Sequence, residues 1–344
     1  MGKKIIYGTG EYGKKVFSMY DSGQDNPDIY FCRTDAKKNE TYMGQKVICL
    51  DELEQYNDLN TQVIIAIQNK MIVSEIKNLL ISKGFLWHQI LDINSLFDDN
   101  LITVQNNKCT DSKKLCIICR NLIEDFTPAG ETSELFSKHQ IIGGGYRSHA
   151  ICPVCNSLDR ERWQYYVLQN ETNIFKEKCR VLHIAPEQST YRMIRANPYC
   201  DYYAGDIQIG RTMHQVDLTN IQFCDNYFDY IIANHVFEHI SNEKIMFDEI
   251  KRVLRTDGKL ICSFPICLDM NTYEDTNIIS DEARLKYYGQ KDHVRLYGKD
   301  YKEHIEQYGF SVTIKSPEQD FNEEQIKNYG FIRNDIILIC SKIF

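Results

Sequence analysis

"CRVLHIAPEQSTY", residues 179–191, decides how the second half of this chain is read. The apolar run RVLHIA has the character of a buried strand, Ala185-Pro186-Glu187 of a turn, and QSTY of a helix start. Strand, turn and helix in immediate succession open a doubly wound sheet. Further strands follow in "DYYAGD", "HQVDL", "FDYIIANH" and "GKLICSFPI". Before the last of these, "NEKIMFDEIKRVLRTDG" reads as a helix that Gly258 terminates. "FSVTIK" and "DIILICSKI" read as a closing pair of strands.

A second alternation of strands and helices occupies the N-terminal part. "KKIIYGTGEYGKKVFSMYDS" is strand, tight turn and helix, "DIYFCRTD" a strand ending in Asp35, and "TQVIIAIQ" a buried strand. "MIVSEIKNLLISKGF" follows as an amphipathic helix with Gly84 as its C-cap. "GTGEYG" fits G-x-G-x-x-G in the required context. Gly8 permits the turn, Gly10 the approach of a phosphate, and Gly13 close helix–strand packing, while Asp35 is placed for ribose hydroxyls. Such a turn also serves as plain scaffold, and both readings stay open.

Between the two halves, "CIIC" and "CPVC" pair Cys116 with Cys119 and Cys152 with Cys155, 32 residues apart. Two residues between thiols let one turn aim both sulfurs at one ion, and two such turns complete a tetrahedral thiolate site that suits zinc. A closed site of this kind is structural. Arg160 and Arg162, with Asp159 and Glu161, read as a solvated helix face. The expected fold class is α/β: a Rossmann-like accessory domain over 1–105, a zinc-ribbon-like module over 106–165 and a second Rossmann-like domain over 166–344.

The net charge of −8 argues against a protein that tracks a phosphate backbone. No apolar run approaches the roughly 20 residues that cross a bilayer, and "MGKKIIYGTG" lacks the apolar core of a signal peptide. A cytoplasmic location is expected.

The ordered motifs "VLHIAPE…YYAGDI…VDLTNIQFCDNYFDYIIANHVFEHI…IKRVLRTDGKLICSFPI" resemble class I S-adenosylmethionine-dependent methyltransferases. The subgroup with "HIAPE" in the first loop, a zinc-ribbon CxxC pair upstream and "GQKDHVRLYGKDY" downstream is the narrower likeness. The resemblance implies S-adenosyl-L-methionine as cofactor. Asp206 would then take the ribose hydroxyls, Asp217 and Leu218 the adenine, and Asn234 and His235 the crevice at the end of the fourth strand. His183, Ala185 and Glu187 stand where the family usually has an acidic residue and a glycine run. Ala185 is small enough to pass beneath the methionine part, and Glu187 would face its ammonium or sulfonium charge. His239 and Glu238 read as structural.

His293 is the candidate base, oriented by Asp292, and Arg295 is the candidate partner of an acidic substrate group. The N-terminal segment, with "GQKVICLDELEQY…VIIAI", resembles the Rossmann-like domains of bacterial nucleotide-sugar acyltransferases. That likeness implies a nucleotide or nucleotide-sugar there and a sugar or glycan precursor as acceptor. RNA methylation is the other enzymatic reading. The near-balanced charge of the cysteine module, eight basic and seven acidic residues between Lys108 and Arg162, counts against it. A methyltransferase fold without activity, serving as a nucleotide-binding scaffold, is the reading from another class.

Overall fold

The computed structural model describes residues 3–20, 28–57, 61–67, 70–83, 85, 90–92, 113–197 and 199–343. The chain divides into two units, Met1–Thr103 with Ala196–Pro198, and Val104–Arg195 with Tyr199–Phe344. The expected boundary near 105 and Gly84 lie outside the described residues.

In the first unit, β1 (Lys4–Tyr7), β2 (Ile29–Arg33), β3 (Thr41–Tyr42), β4 (Gln45–Cys49), β5 (Gln62–Ile65) and β6 (Ile90–Asp92) form one sheet. Its spatial order is β3-β4-β2-β1-β5-β6, parallel except for the β3–β4 pair. Ile5, Ile6, Phe31, Val63 and Ile64 are all fully buried. Unbroken apolar runs of this kind are what strands covered on both faces require. Helix α1 (Glu11–Tyr20) starts directly after the glycine turn. Gly8 has φ +114°, and a Cβ on Gly13 would stand 2.3 Å from the Gly8 carbonyl oxygen, so neither position accepts a side chain. β2 ends two residues before Asp35, whose exposed carboxylate pairs with Arg33 Nε at 2.7 Å. Helix α2 (Lys70–Ser82) follows β5.

The second unit begins with short antiparallel pairs: β7 (Lys114–Leu115) with β8 (Leu122–Ile123), and β9 (Thr127–Ala129) with a later strand, β11. β10 (Ile141–Ile142), β11 (Arg147–Ile151) and helix α3 (Asp159–Glu171) complete the cysteine module. The main sheet comprises β12 (Cys179–Ile184), β13 (Cys200–Asp206), β14 (His214–Gln215), β15 (Phe228–Asn234), β16 (Leu254–Ser263) and two later strands. Helix α4 (Gln188–Ala196) follows β12, and helix α5 (Glu243–Val253) precedes β16. β17 (Ile266–Cys267) and β18 (Tyr297–Gly298) join β10 in a three-stranded sheet. The cysteine module therefore shares a sheet with the chain that follows it and lies in the same unit.

With β19 (Phe310–Lys315) and β20 (Ile337–Lys342), the main sheet has the order β14-β13-β12-β15-β16-β20-β19. The first five strands run parallel, and β20 is antiparallel to both of its neighbours. The winding direction reverses between β12 and β15, and such a switch point leaves a crevice at the carboxyl ends of the two strands.

Two local expectations change. Helix α5, capped by the Asn242 side chain, ends at Val253, and Gly258 lies inside β16 rather than stopping the helix. Pairing slips between Phe228↔Leu254 and Tyr230↔Lys259, so β16 carries extra residues against β15. A Cβ at Gly258 would come within 2.9 Å of the Leu254 side chain and 3.0 Å of the Asp229 carbonyl oxygen. The glycine serves the close approach of a bulged strand.

Helix α3 is not a solvated face: Asp159, Glu161, Arg162 and Trp163 are all buried. Arg162 lies over the Phe126 ring and donates to the carbonyl oxygens of Ser157, Ala150, Tyr329 and Gly330. Five donors in a fixed fork let one side chain tie the second cysteine turn to the C-terminal segment.

Candidate cofactor and acceptor site

The four cysteines come together. Cys116 Sγ is 3.7 Å from Cys155 Sγ, and Cys119 Sγ is 3.8 Å from Cys152 Sγ. Tetrahedral zinc with bonds of about 2.3 Å requires about 3.8 Å between sulfurs, so the thiols fit that ion. The two turns are built alike: Arg120 N donates to Cys116 O and Asn156 N to Cys152 O. Arg120 and Asn156 both take left-handed φ, near +60°. Hydrogen bonding among the thiols drives the Cys116 thiol far below its ordinary value.

At the switch point, the chain leaves β12 through Ala185 with φ +44° and leaves β15 through His235 with φ +52°. Left-handed backbone at two non-glycine residues is uncommon and tends to persist where the surroundings hold it in place. Ala185 N continues the sheet by donating to Gly205 O at 2.7 Å. The turn then brings Glu187 back over the strand ends. Its Oε2 accepts from Asn234 Nδ2 at 3.5 Å, and Oε1 stands 3.5 Å from Arg160 Nε. Burial alone would raise this carboxyl, but His183, Arg160 and His235 hold it at about 2.

His183 is fully buried, with Nδ1 3.0 Å from the Tyr202 hydroxyl. Its Nε2, 3.9 Å from Glu187 Oε2, has no hydrogen-bond partner among the described residues. Asn234 Oδ1 accepts from Ser263 Oγ at 3.0 Å, which orients the amide. Asp206, buried at the end of β13, accepts from Gln208 N at 2.9 Å and has Arg211 Nε 3.5 Å away. Asp217 accepts from Thr219 N and Oγ1, and Leu218 packs into the core. Asp217 also borders a depression of about 500 Å³ with Met213, His214, Asn220 and Phe223. Glu187, Asp206 and Asn234 do not line it.

The turn after β15 holds a second group. Glu238, His239 and His293 each offer an atom within 4.8 Å of the other two. Glu238 is 1% exposed, and His235 Nδ1 stands 3.4 Å from its Oε1. Burial opposes ionisation of Glu238, and His235 and His293 outweigh it, holding the carboxyl below its ordinary value. His293 Nδ1 is 3.2 Å from the Tyr288 carbonyl oxygen, and burial lowers its pKa from the ordinary 6.5.

Asp292 does not orient His293: its carboxylate lies 3.2 Å from His239 Nδ1. Arg295 also departs from expectation. It is 1% exposed and pairs with Glu274 at 2.9 Å. It also donates to the carbonyl oxygens of Phe237 and Ile240 at 2.7 and 2.6 Å. Its donors hold the 237–241 turn in place.

Sequence reasoning placed Arg160 and Glu161 on a solvated helix face. Glu161 Oε1 accepts from Ser189 N at 2.7 Å and Oε2 from Leu158 N at 2.8 Å, so one buried carboxylate serves the starts of α3 and α4. That reasoning assigned His235 to the cofactor crevice and read Glu238 and His239 as structural; their grouping with His293 had only the spacing of three and then one as a signal.

An uncharacterized protein of Methanocaldococcus jannaschii, MJ1123, is 31% identical over 104 residues, 30% of this chain and 48% of that protein. The chain thus spans about half the length of the curated relative it matches. A SAM-dependent methyltransferase from Archaeoglobus fulgidus is similar at 16% identity, over 53% of this chain and 94% of its own, with a TM-score of 0.35. The PH0226 protein of Pyrococcus horikoshii OT3 is similar at 16% identity, over 54% and 92%, with a TM-score of 0.34. Residues 170–262, from the end of α3 through β16, match the methyltransferase domain family.

Proposed function

We propose that this protein transfers the methyl group of S-adenosylmethionine to a hydroxyl or amine of a small, sugar-containing acceptor. The observation that carries the reading is the convergence of Glu187, Asp206 and Asn234 at the carboxyl ends of β12, β13 and β15. Two carboxylates beside a switch-point crevice suit a cofactor with a pair of ribose hydroxyls and two positive charges, and no phosphate cradle is needed. When bound, the cofactor supplies an electrophilic methyl on a sulfonium.

The residues then have distinct tasks. Asp206 accepts hydrogen bonds from the ribose hydroxyls, and Asp217 and Leu218 border the adenine. Glu187 remains an anion facing the ammonium, with Asn234 holding its carboxylate in place. His183 and Ala185 shape the loop beneath the methionine part, and His235 closes the crevice from β15. Alignment of the acceptor supplies much of the rate in such a displacement. Proton removal falls to the cluster around His293, whose neutral imidazole keeps Nδ1–H on the Tyr288 carbonyl and Nε2 as acceptor.

The sugar assignment draws on the likeness of the first unit to nucleotide-sugar enzymes. There the turn of Gly8, Gly10 and Gly13 with Asp35 would dock a nucleotide or nucleotide-sugar. The four thiolates would hold a structural zinc. Calorimetry with S-adenosylmethionine tests the core of the reading: saturable one-to-one binding is expected, and none would remove the enzyme assignment. Labelled cofactor with a panel of nucleotide sugars, glycans and RNA tests the acceptor, with label on RNA alone overturning the sugar reading.

A further inference from the structure

The cluster after β15 has a feature that proton removal by His293 leaves unexplained. Neither carboxylate oxygen of Glu238 has a hydrogen-bond partner among the described residues, although the side chain is 1% exposed. A buried carboxylate without hydrogen bonds is costly, and the His235 imidazole 3.4 Å from its Oε1 offsets that cost only when protonated, so a further cation beside it would stabilise it. Two imidazoles converge on it, with one atom from each of Glu238, His239 and His293 within 4.8 Å of the others.

Both imidazoles are held from behind. His293 Nδ1 is 3.2 Å from the Tyr288 carbonyl oxygen. His239 Nδ1 is 3.2 Å from the Asp292 carboxylate and 3.3 Å from the Asp292 carbonyl oxygen. Histidines that bind metals are characteristically oriented this way, with Nδ1–H on a carbonyl or carboxylate and the lone pair of Nε2 left for the ion. Two imidazoles and one carboxylate suit a divalent first-row transition ion.

We propose that Glu238, His239 and His293 bind a divalent first-row transition-metal ion, at which the acceptor hydroxyl is activated. Three ligands spaced evenly around one ion at bonds of about 2.1 Å stand about 3.6 Å apart at most, so side chains that start at the 4.8 Å limit close by about 1 Å on binding. The His239 side chain is 32% exposed and opens the cluster to solvent. Three protein ligands leave coordination positions for substrate oxygen, and a vicinal diol, which sugars offer, fills two.

The ion-bound hydroxyl gives its proton to solvent water, and the oxygen lone pair forms the new O–C bond to the methyl carbon. The C–S bond breaks with its electron pair left on sulfur, which neutralises the sulfonium. With the ion bound, His293 passes from base to ligand. The ion's chemical role rests on the methyl-transfer reading; its binding does not.

Calorimetric titration of the full-length, zinc-loaded protein with Mn²⁺ and with Zn²⁺ tests the site. One further ion per chain is expected for at least one of the two metals. Glu238→Gln and His239→Ala should each weaken that binding at least tenfold, with thiolate zinc content and melting temperature unchanged. His239→Ala carries the comparison if the buried Glu238→Gln variant misfolds. Failure of the wild type to take up either ion, or equal binding by both variants, would falsify the site and leave an imidazolium as the partner of Glu238. S-adenosylmethionine titrations on the same preparations separate the two ideas. Cofactor binding without ion uptake removes only the metal site, and ion uptake without cofactor binding removes only the methyl-transfer reading.

Discussion

Glu187 combines burial, which would raise its carboxyl, with His183, Arg160 and His235, which hold it at about 2. A carboxyl whose folded value lies below its unfolded value of 4.5 stabilises the fold above that pH and loses the contribution as pH falls towards 2. The difference amounts to about 3 kcal/mol at most. Glu187→Gln should therefore flatten the loss of stability between pH 4.5 and 2, read from acid-unfolding curves. The same substitution should weaken S-adenosylmethionine about tenfold, the loss of one charge-assisted contact worth about 1.4 kcal/mol. Unchanged cofactor affinity would move Glu187 from ligand to scaffold. The residue types at this loop were legible in the sequence; the left-handed backbone at Ala185 was not, because an alanine carries no sign of the φ it is forced to adopt.

Among the elements, α3 links the cysteine module to the cofactor loop. Its Glu161 accepts from Ser189 N at the start of α4, and its Arg160 lies beside Glu187. Glu161→Ala would strand the buried Ser189 amide, at about 1–3 kcal/mol, and the half-buried Leu158 amide at less. The expected outcome is a melting temperature lower by several degrees together with weaker cofactor binding. A drop in stability with unaltered cofactor affinity would uncouple α3 from the loop. "DRER" looked solvated in sequence because charges usually face water. Burial was decided by partners 167 and 168 residues away, the carbonyls of Tyr329 and Gly330. Helix α5 illustrates the opposite limit: its existence was plain from its period, while its end was set by pairing of Leu254 with Phe228 rather than by Gly258.

For the whole molecule, the shared sheet of β10, β17 and β18 makes the cysteine module part of the fold that carries the segment similar to methyltransferase domains. Loss of the zinc proposed for the four thiolates should therefore do more than loosen residues 114–157. Cys152→Ser, or prolonged chelation, is expected to lower the melting temperature of the second unit and its affinity for S-adenosylmethionine together, measured by calorimetry. An unchanged main transition would show the module to be independent. No helix among the described residues is long and apolar enough to cross a membrane.

By itself the sequence determined the α/β alternation, the pairing of the two CxxC turns and the acidic strand end at Asp206, whereas the strand expected to reach Asp217 stops at Gln215. Those features rest on local period, on spacing within one turn and on residue type. Tertiary structure alone decided that Arg295 is spent on backbone carbonyls, that Asp292 serves His239, and that Glu238 sits buried between imidazoles. Each of these depends on groups brought together across tens of residues, where burial and the geometry of a few hydrogen bonds, not local pattern, set what a charged side chain can do.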